Sequence, residues 1–415
     1  MPELDSIRGL AVLGVLFVHG FYYVAGASVF QSPLAKAVIY ASMPGRMGVN
    51  LFFVLSGFLI TGILIDSRNE SNYYRRFYIR RALRILPAYY LVLCVLLLVR
   101  VSGWPFVALS AVYLSNVAPL FGVPLAYSVL WSLAVEEHFY LFWPTFVRRL
   151  SLKALAVCAA AVALLSPLVR LANFYIPSHD RMQHFYMNFY TWNSLDGLAF
   201  GALVAILLRT LHPERRQLWR VATTSMAIGV AVLAVGWPFG IATRDGAVGS
   251  ALQATPWNFG FAGLLLVFVL VGTSEHKRLV NRPVLRFFGE ISYGLYLWHM
   301  LVFGAYDAAV GRFLPQFAGT ARYDSVRHIT TTHSSFGLLC LRFVIAGALS
   351  VLVAHISRRY YEDRFLRLKD KLSKRTVKET APLRGTQPRY EGAGVLTGSR
   401  PSACNARTQN TNVTS

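Results

Sequence analysis

The sequence predicts an all-α, polytopic membrane helical bundle of about ten transmembrane helices. Three observations carry this prediction. Of 415 residues, 55% are hydrophobic and only 14% charged, against roughly 45–50% and about 25% in an average soluble domain. Apolar runs of about twenty residues, the length at which a helix crosses a bilayer, recur between charged loops. The charges are lopsided, with 41 Lys and Arg against 19 Asp and Glu for a net +22, and the basic residues fall between the apolar runs. A nucleic-acid binder would instead spread them over a water-facing surface, so no nucleic-acid partner is expected. The abundance of Leu, Val, Phe and Tyr sets disorder aside for most of the chain.

The first span is placed at 8–26. Leu10 to Val18 resembles a secretion leader, but Glu3 and Asp5 outnumber Arg8, and His19 and Gly20 interrupt the run, so it is read as a retained helix. Further spans are placed at 47–66, 86–101, 127–147, 154–171, 192–209, 221–237, 256–273, 290–309 and 336–356. With the N-terminus cytoplasmic, Arg8 and the loops at 68–84, 148–153, 209–220 and 275–286 hold 18 Lys or Arg, and the opposite segments hold 9. This bias puts both termini inside. Trp104 to Gly122 is apolar enough to be another span, yet counting it reverses the bias of every later loop. With Pro105, Pro119 and Pro124 nearby, it is read as a re-entrant or interfacial segment near 104–122.

Beyond Ser357 the chain carries 13 basic and 5 acidic residues and then becomes rich in Gly, Thr, Asn and Ser. Arg358 to Lys374 is expected as an amphipathic helix on anionic membrane lipids. The domain reading is therefore 1–365 membrane domain and 366–415 basic, largely disordered cytoplasmic tail. Cys94, Cys158, Cys340 and Cys404 have neither CxxC spacing nor companion histidines, so neither a disulfide framework nor a metal site is expected.

Ionisable residues inside apolar runs are costly and mark functional sites. His19 lies eleven residues after Arg8, about 16 Å along a helix and on nearly the same face. The plain alternative is a core histidine bonded to a neighbouring helix. Ser56-Gly57 gives the second span a narrow middle, through which a thin ligand or merely another helix can approach. The loop before the third span holds Arg75, Arg76, Arg80, Arg81 and Arg84 and closes at Pro87. As a helix it puts Arg80 and Arg84 on one face at i,i+4, and Arg81 with Arg84 at i,i+3. Arginine without lysine favours bidentate recognition of phosphate, although an orientation signal explains the loop equally well. Glu136, Glu137 and His138 lie half-way through the fourth span, and His299 lies about nine residues inside the ninth.

Arg8-x10-His19, Ser56-Gly57-Phe58-Leu59, Arg81-x2-Arg84 closed by Pro87, Trp131-Ser-Leu-x2-Glu136-x2-Phe-Tyr and Ser292-Tyr-x2-Tyr-Leu-Trp-His299 occur in one order. Together they resemble the acyltransferase 3 family of bacterial membrane acyltransferases, across about residues 4–365. The resemblance implies a ten- or eleven-span protein that moves acyl groups, often acetyl, from acyl-coenzyme A to hydroxyls of surface polysaccharides, lipids or antibiotics. It implies an essential histidine at His19, roles for Arg8 and the loop arginines, and the stand-alone form without a hydrolase-like second domain. Two departures are visible: Asn50 stands where many relatives carry an acid, and 304–335 is longer than the pattern requires.

The expectation is thus an O-acyltransferase of the bacterial plasma (inner) membrane, with acyl-CoA, chiefly acetyl-CoA, as donor and no metal. The acceptor is expected to be a glycan or lipid-linked saccharide hydroxyl. Arg8, Arg80, Arg81, Arg84, Ser56 and Gly57 are the candidate donor-binding residues, and His19, Glu136 and His299 the candidate catalytic ones. His19 is either a general base or a covalent acyl carrier, with Glu136 orienting it as the third member of a triad. The alternative is a transporter or flippase of an anionic or glycosylated lipid that uses the buried His and Glu residues as a proton relay. The paired broken helices expected of such a protein are missing from the sequence.

Overall fold

Glu3 and Asp5 occupy the first turn of α1 (Pro2–Gly20), where carboxylates complement the positive end of the helix. From there a helix stands at each of the ten predicted spans of the computed structural model, which describes residues 2–24, 30, 32–176, 186–210, 213–241, 246–314, 320–322, 330–332 and 335–372. In chain order these helices, with shorter ones between them, are α2 (Pro33–Ser42), α3 (Gly48–Asp66), α4 (Tyr73–Leu98), α5 (Trp104–Ala111), α6 (Leu130–Arg149), α7 (Leu152–Tyr175) and α8 (Thr191–Ser194). They continue as α9 (Asp196–Thr210), α10 (Arg215–Gly236), α11 (Gly246–Leu252), α12 (Thr255–Gly272), α13 (Pro283–Phe313), α14 (Phe336–Ile356) and α15 (Asp363–Leu372). A short antiparallel strand pair, Thr320–Arg322 with Thr330–Thr332, lies between α13 and α14. His328 and His333 lie outside the described residues, as does the tail beyond Leu372.

Six stretches are long and apolar enough to cross a membrane: Pro33–Asp66, Tyr73–Leu98, Leu152–Tyr175, Arg215–Phe239, Gly246–Gly272 and Phe336–Leu368. Of the predicted spans outside these, α9 has only 15 residues. The other three, α1, α6 and α13, are the helices that carry His19, Glu136 and His299. Their polar and charged residues lower their mean apolarity.

Packing fixes the directions of the helices. Glycines at the α1–α13 contact leave no room for a side chain: a Cβ on Gly9 would overlap the Leu285 carbonyl, and one on Gly289 the Asp5 carbonyl. Further along, His19 meets His299 and Leu16 meets Phe303, so the two helices run parallel. An odd number of crossings therefore lies between them, which the seven intervening predicted spans satisfy. The Tyr73 hydroxyl donates to the Pro144 carbonyl (2.9 Å) and Tyr78 to Leu141 (2.9 Å), which makes α4 and α6 antiparallel neighbours. Residues 104–122, which form α5 and a 3-10 turn at Ser115–Phe121, thus return the chain to the end it came from. Tyr89 and Tyr90 hold α5 against α4 through the Ser110 and Ala111 carbonyls (2.8 and 2.9 Å). This agrees with a non-crossing segment.

The arginine loop differs from expectation. Instead of a loop ending at Pro87, one helix runs from Tyr73 to Leu98 with Pro87 inside it. The proline removes a single N–H and frees the carbonyl one turn earlier, which the bundle tolerates. The second difference lies after α14, which passes through a π-helical turn, Ser357–Glu362, into α15. The expected amphipathic helix is present from Asp363 to Leu372 and packs on α4.

The three largest apolar clusters among the described residues hold Val92, Phe106, Leu130 and Leu295 in one, Ile60, Phe77, Phe139 and Trp143 in another, and Leu4, Leu51, Val54 and Leu265 in the third. One buried ion pair braces the end opposite Arg8. Arg170 of α7 bonds Asp196 (2.9 Å) and the Ala251 and Asn193 carbonyls (2.8 and 2.6 Å), tying α8, α9 and α11 to α7.

Candidate active site

A cavity of about 310 Å³ opens at the end of the bundle where α1 and α4 begin. Five helices wall it: Asp5 and Arg8 come from α1, Ser56 and Ile60 from α3, Arg81 and Arg84 from α4, Glu136 and Tyr140 from α6, and Ser292 and Tyr293 from α13. Three guanidiniums thus face two carboxylates. Arg8 is tied to Asp5 at 2.5 Å, which leaves the cationic excess at Arg81 and Arg84.

Tyr140 organises the inner wall. Its hydroxyl donates to Glu136 Oε2 at 3.0 Å, and Ser56 Oγ forms a short hydrogen bond to the same hydroxyl. Because a phenol carries one proton, the serine is the donor in the second bond. The Arg81 guanidinium lies 4.0 Å over the Tyr140 ring, a cation–π contact. Glu136, Tyr140 and Ser56 therefore form one network whose cationic face is Arg81.

Beyond this wall the apolar side chains of Phe52 and Leu133 give way to Tyr296, whose hydroxyl bonds Ser132 at 2.6 Å. The Tyr296 ring stands 6.2 Å from Phe52 on one side and 5.9 Å from His299 on the other. His299 in turn meets His19 edge to face, with centroids 5.0 Å apart. His19 Nδ1 lies 2.8 Å from the Val15 carbonyl, and His299 Nδ1 lies 3.0 and 2.8 Å from those of Leu295 and Tyr296. A carbonyl only accepts, so both Nδ1 atoms carry the proton, and in the neutral rings both Nε2 atoms present lone pairs; this tautomer is assigned from the bonding network. His299 is buried, and its Nε2 has no partner among the described residues. His19 is half-buried.

The structure sorts the sequence candidates. Arg8, Arg81, Arg84, Ser56 and Glu136 meet at the cavity, while His19 and His299 meet each other behind Tyr296. Arg80 is half-buried and off the cavity wall: the i,i+3 pair Arg81 and Arg84, rather than the i,i+4 pair, lines the cavity, with Arg84 exposed at its mouth. Gly57 also departs from expectation: it turns toward α9, where a Cβ would overlap the Leu198 carbonyl, so it serves helix packing. The expected pairing of Glu136 with His19 is replaced on both sides, since Val15 orients the imidazole and Tyr140 holds the carboxylate. Asn50 reaches Asn258 of α12 at 3.4 Å. Among the described residues, no group of three His, Cys, Asp or Glu is arranged to hold a metal ion.

Sequence reasoning missed Tyr140 and the Ser132–Tyr296 bond. The signal was present: Ser132, Glu136 and Tyr140 recur every four residues, which places three polar groups on one face of α6.

The family model described as "Acyltransferase domain" (acyltransferase 3) matches residues 1–357. The chain is 29% identical over 333 residues to the peptidoglycan O-acetyltransferase OatA of Listeria monocytogenes, covering 72% of this chain and 49% of that protein. It is 28% identical over 335 residues to the O-acetyltransferase OatA of Staphylococcus aureus, covering 72% and 50%. The chain spans about half the length of the curated relatives it matches. No solved structure matches it. Relatives named as acetyltransferases leave the transporter alternative without support. The family match over most of the chain places this protein in the acyltransferase 3 family.

Proposed function

We propose that the protein is a membrane O-acetyltransferase that takes acetyl from acetyl-CoA and delivers it to a glycan hydroxyl. The observation that carries this reading is the order along α13. Ser292 lines the arginine-walled cavity, Tyr296 packs on the lining residue Phe52, and His299 stands behind with His19 against it. A polyanionic donor with a thin thioester-bearing arm suits this shape. Arg81 and Arg84 would hold phosphates, Arg8 would complete the mouth, and the arm would pass Ser56 and Tyr140 toward the imidazoles.

His19 is the general base in this reading. Its Nε2 lone pair accepts the proton of the acceptor hydroxyl as that oxygen attacks the thioester carbonyl. The new C–O bond forms, the C–S bond breaks, and the proton passes from His19 to the departing sulfur, so the products are an ester and a free thiol. His299, packed on His19, keeps the ring in its working orientation. Glu136 acts through Tyr140 and Arg81 on the donor path.

The bacterial plasma membrane, with both termini cytoplasmic, suits this chemistry because the donor is cytoplasmic. Arg8 and the cavity arginines stand at the same end of the bundle as Arg68 and Arg148, which bond each other's backbone across α3 and α6. Clustered arginine at one end is the pattern of a cytoplasmic face. The peptidoglycan named for the Listeria relative makes a glycan the favoured acceptor class.

The decisive test uses purified protein in nanodiscs with radiolabelled acetyl-CoA and an oligosaccharide acceptor. Release of free thiol together with labelled saccharide is expected, and both should vanish in His19→Ala. Wild-type turnover by His19→Ala that remains folded overturns the reading.

A further inference from the structure

The α13 stripe that joins the cavity to His299 does not end there. Phe303 and Asp307 follow at successive i,i+4 steps, so Asp307 lies on the same face about 12 Å beyond His299, away from the arginine-lined mouth. Arg342 of α14 meets it. Its Nε and Nη2 donate to the two Asp307 carboxylate oxygens at 2.7 Å each, and its guanidinium carbon lies 4.6 Å over the Phe303 ring. Phe303 packs with Leu16, one turn before His19, and with Tyr306.

Two details do not suit a purely structural brace. Arg342 is 3% exposed, yet its Nη1 has no hydrogen-bond partner among the described residues. A buried donor left unpaired is destabilising, and the buried Arg170, bonded to three acceptors, shows how this fold completes a brace. Asp307, by contrast, keeps a quarter of its side-chain surface exposed, at 24%. The pair thus offers one unused donor and spare carboxylate lone pairs beside an aromatic ring.

We propose that Asp307 and Arg342, with Phe303 positioning the guanidinium, form a saccharide subsite on the acceptor side of His19. The ion pair is already neutral, so it has little net pull on an anion. It suits a neutral polyol: one hydroxyl donates to the Asp307 carboxylate and a neighbouring oxygen accepts from Arg342 Nη1, while the buried Phe303 ring backs the guanidinium and fixes its direction. This rests on the acetyltransferase reading for its purpose, since the subsite presents a hydroxyl to His19 from the end opposite the donor.

The test uses the full chain in nanodiscs, with tri-N-acetylchitotriose as the saccharide probe and saturation-transfer NMR as a binding readout that needs no donor. Arg342→Gln and Asp307→Asn should each weaken binding of the probe about tenfold, the loss expected for a hydrogen bond to a charged group. Affinity for acetyl-CoA should stay within about twofold. The double variant Asp307→Arg/Arg342→Asp restores an ion pair and should restore the thermal midpoint but not saccharide binding. Phe303→Leu keeps an apolar side chain and should weaken binding without unfolding, which covers the case in which breaking the pair prevents folding. The proposal falls if wild type fails to bind the probe, if the single variants bind it normally, or if the swap restores binding. Wild type that binds the probe but fails to transfer acetyl sinks the enzymatic reading and leaves the subsite standing.

Discussion

His19 and His299 meet edge to face, ring centroids 5.0 Å apart, although they come from the first and ninth predicted spans. Parallel packing of α1 on α13 brings them level, and each ring is held by a backbone carbonyl one turn earlier in its own helix. The helices therefore supply the orienting acceptors that a carboxylate provides in a triad. With Nδ1 fixed as the donor, each Nε2 is free for chemistry.

Replacing His19 with Ala should lower the rate of acetyl transfer by about 10²- to 10⁴-fold, the usual contribution of a general base. The half-buried site should leave the thermal midpoint little changed. Comparing kcat and thermal unfolding of the same preparation checks both statements.

His299→Phe separates orientation from packing. It removes the buried Nε2 that has no partner among the described residues and keeps a ring against His19. Stability should hold or rise, because an unpaired polar atom is lost. The rate should fall by about tenfold, the penalty for a base held less firmly. Unchanged kcat would reduce His299 to a packing residue.

The ten helices, the non-crossing segment at 104–122 and the arginine-rich end were legible in the sequence, because bilayer length and loop charge leave strong one-dimensional traces. The pairings inside the bundle were less legible. Arg81 faces the cavity and Arg80 does not, a choice set by how α4 rotates against α6, and both faces looked equally basic in the sequence. Gly57 adjoins a cavity residue in sequence, but the helix turns it about 100° away onto α9. Arg342 and Asp307 drew no reading from the sequence, because they become partners only through the antiparallel packing of α13 and α14.

The neighbours Ser56 and Gly57 should fail in different ways. Gly57→Ala drives a methyl into the Leu198 carbonyl at the α3–α9 contact and should cost about 1–3 kcal/mol of stability. Donor affinity per folded molecule should be unchanged. Ser56→Ala removes only a hydroxyl from the Tyr140 network and should leave the thermal midpoint nearly constant while raising KM for the donor. Thermal unfolding and donor titration on both variants check the division, and a Gly57→Ala protein of normal stability would refute it.

The α4 arginines offer the sharpest test of the donor path, because neighbouring residues of one type differ only in the direction they face. Arg81 and Arg84 line the cavity and Arg80 does not. If phosphates bind there, Arg81→Gln and Arg84→Gln should each weaken acetyl-CoA binding by about 1.5–3 kcal/mol, the range for charged hydrogen bonds. The loss should shrink as salt rises, since the mouth is open to solvent. Arg80→Gln should cost less than either. Arg81→Lys should recover only part of the affinity, because lysine keeps the charge but loses the planar contact over Tyr140. Titration of acetyl-CoA at low and high salt measures all four variants. Equal losses from Arg80→Gln and Arg81→Gln would mean that the basic character of the helix, rather than its cavity face, captures the donor.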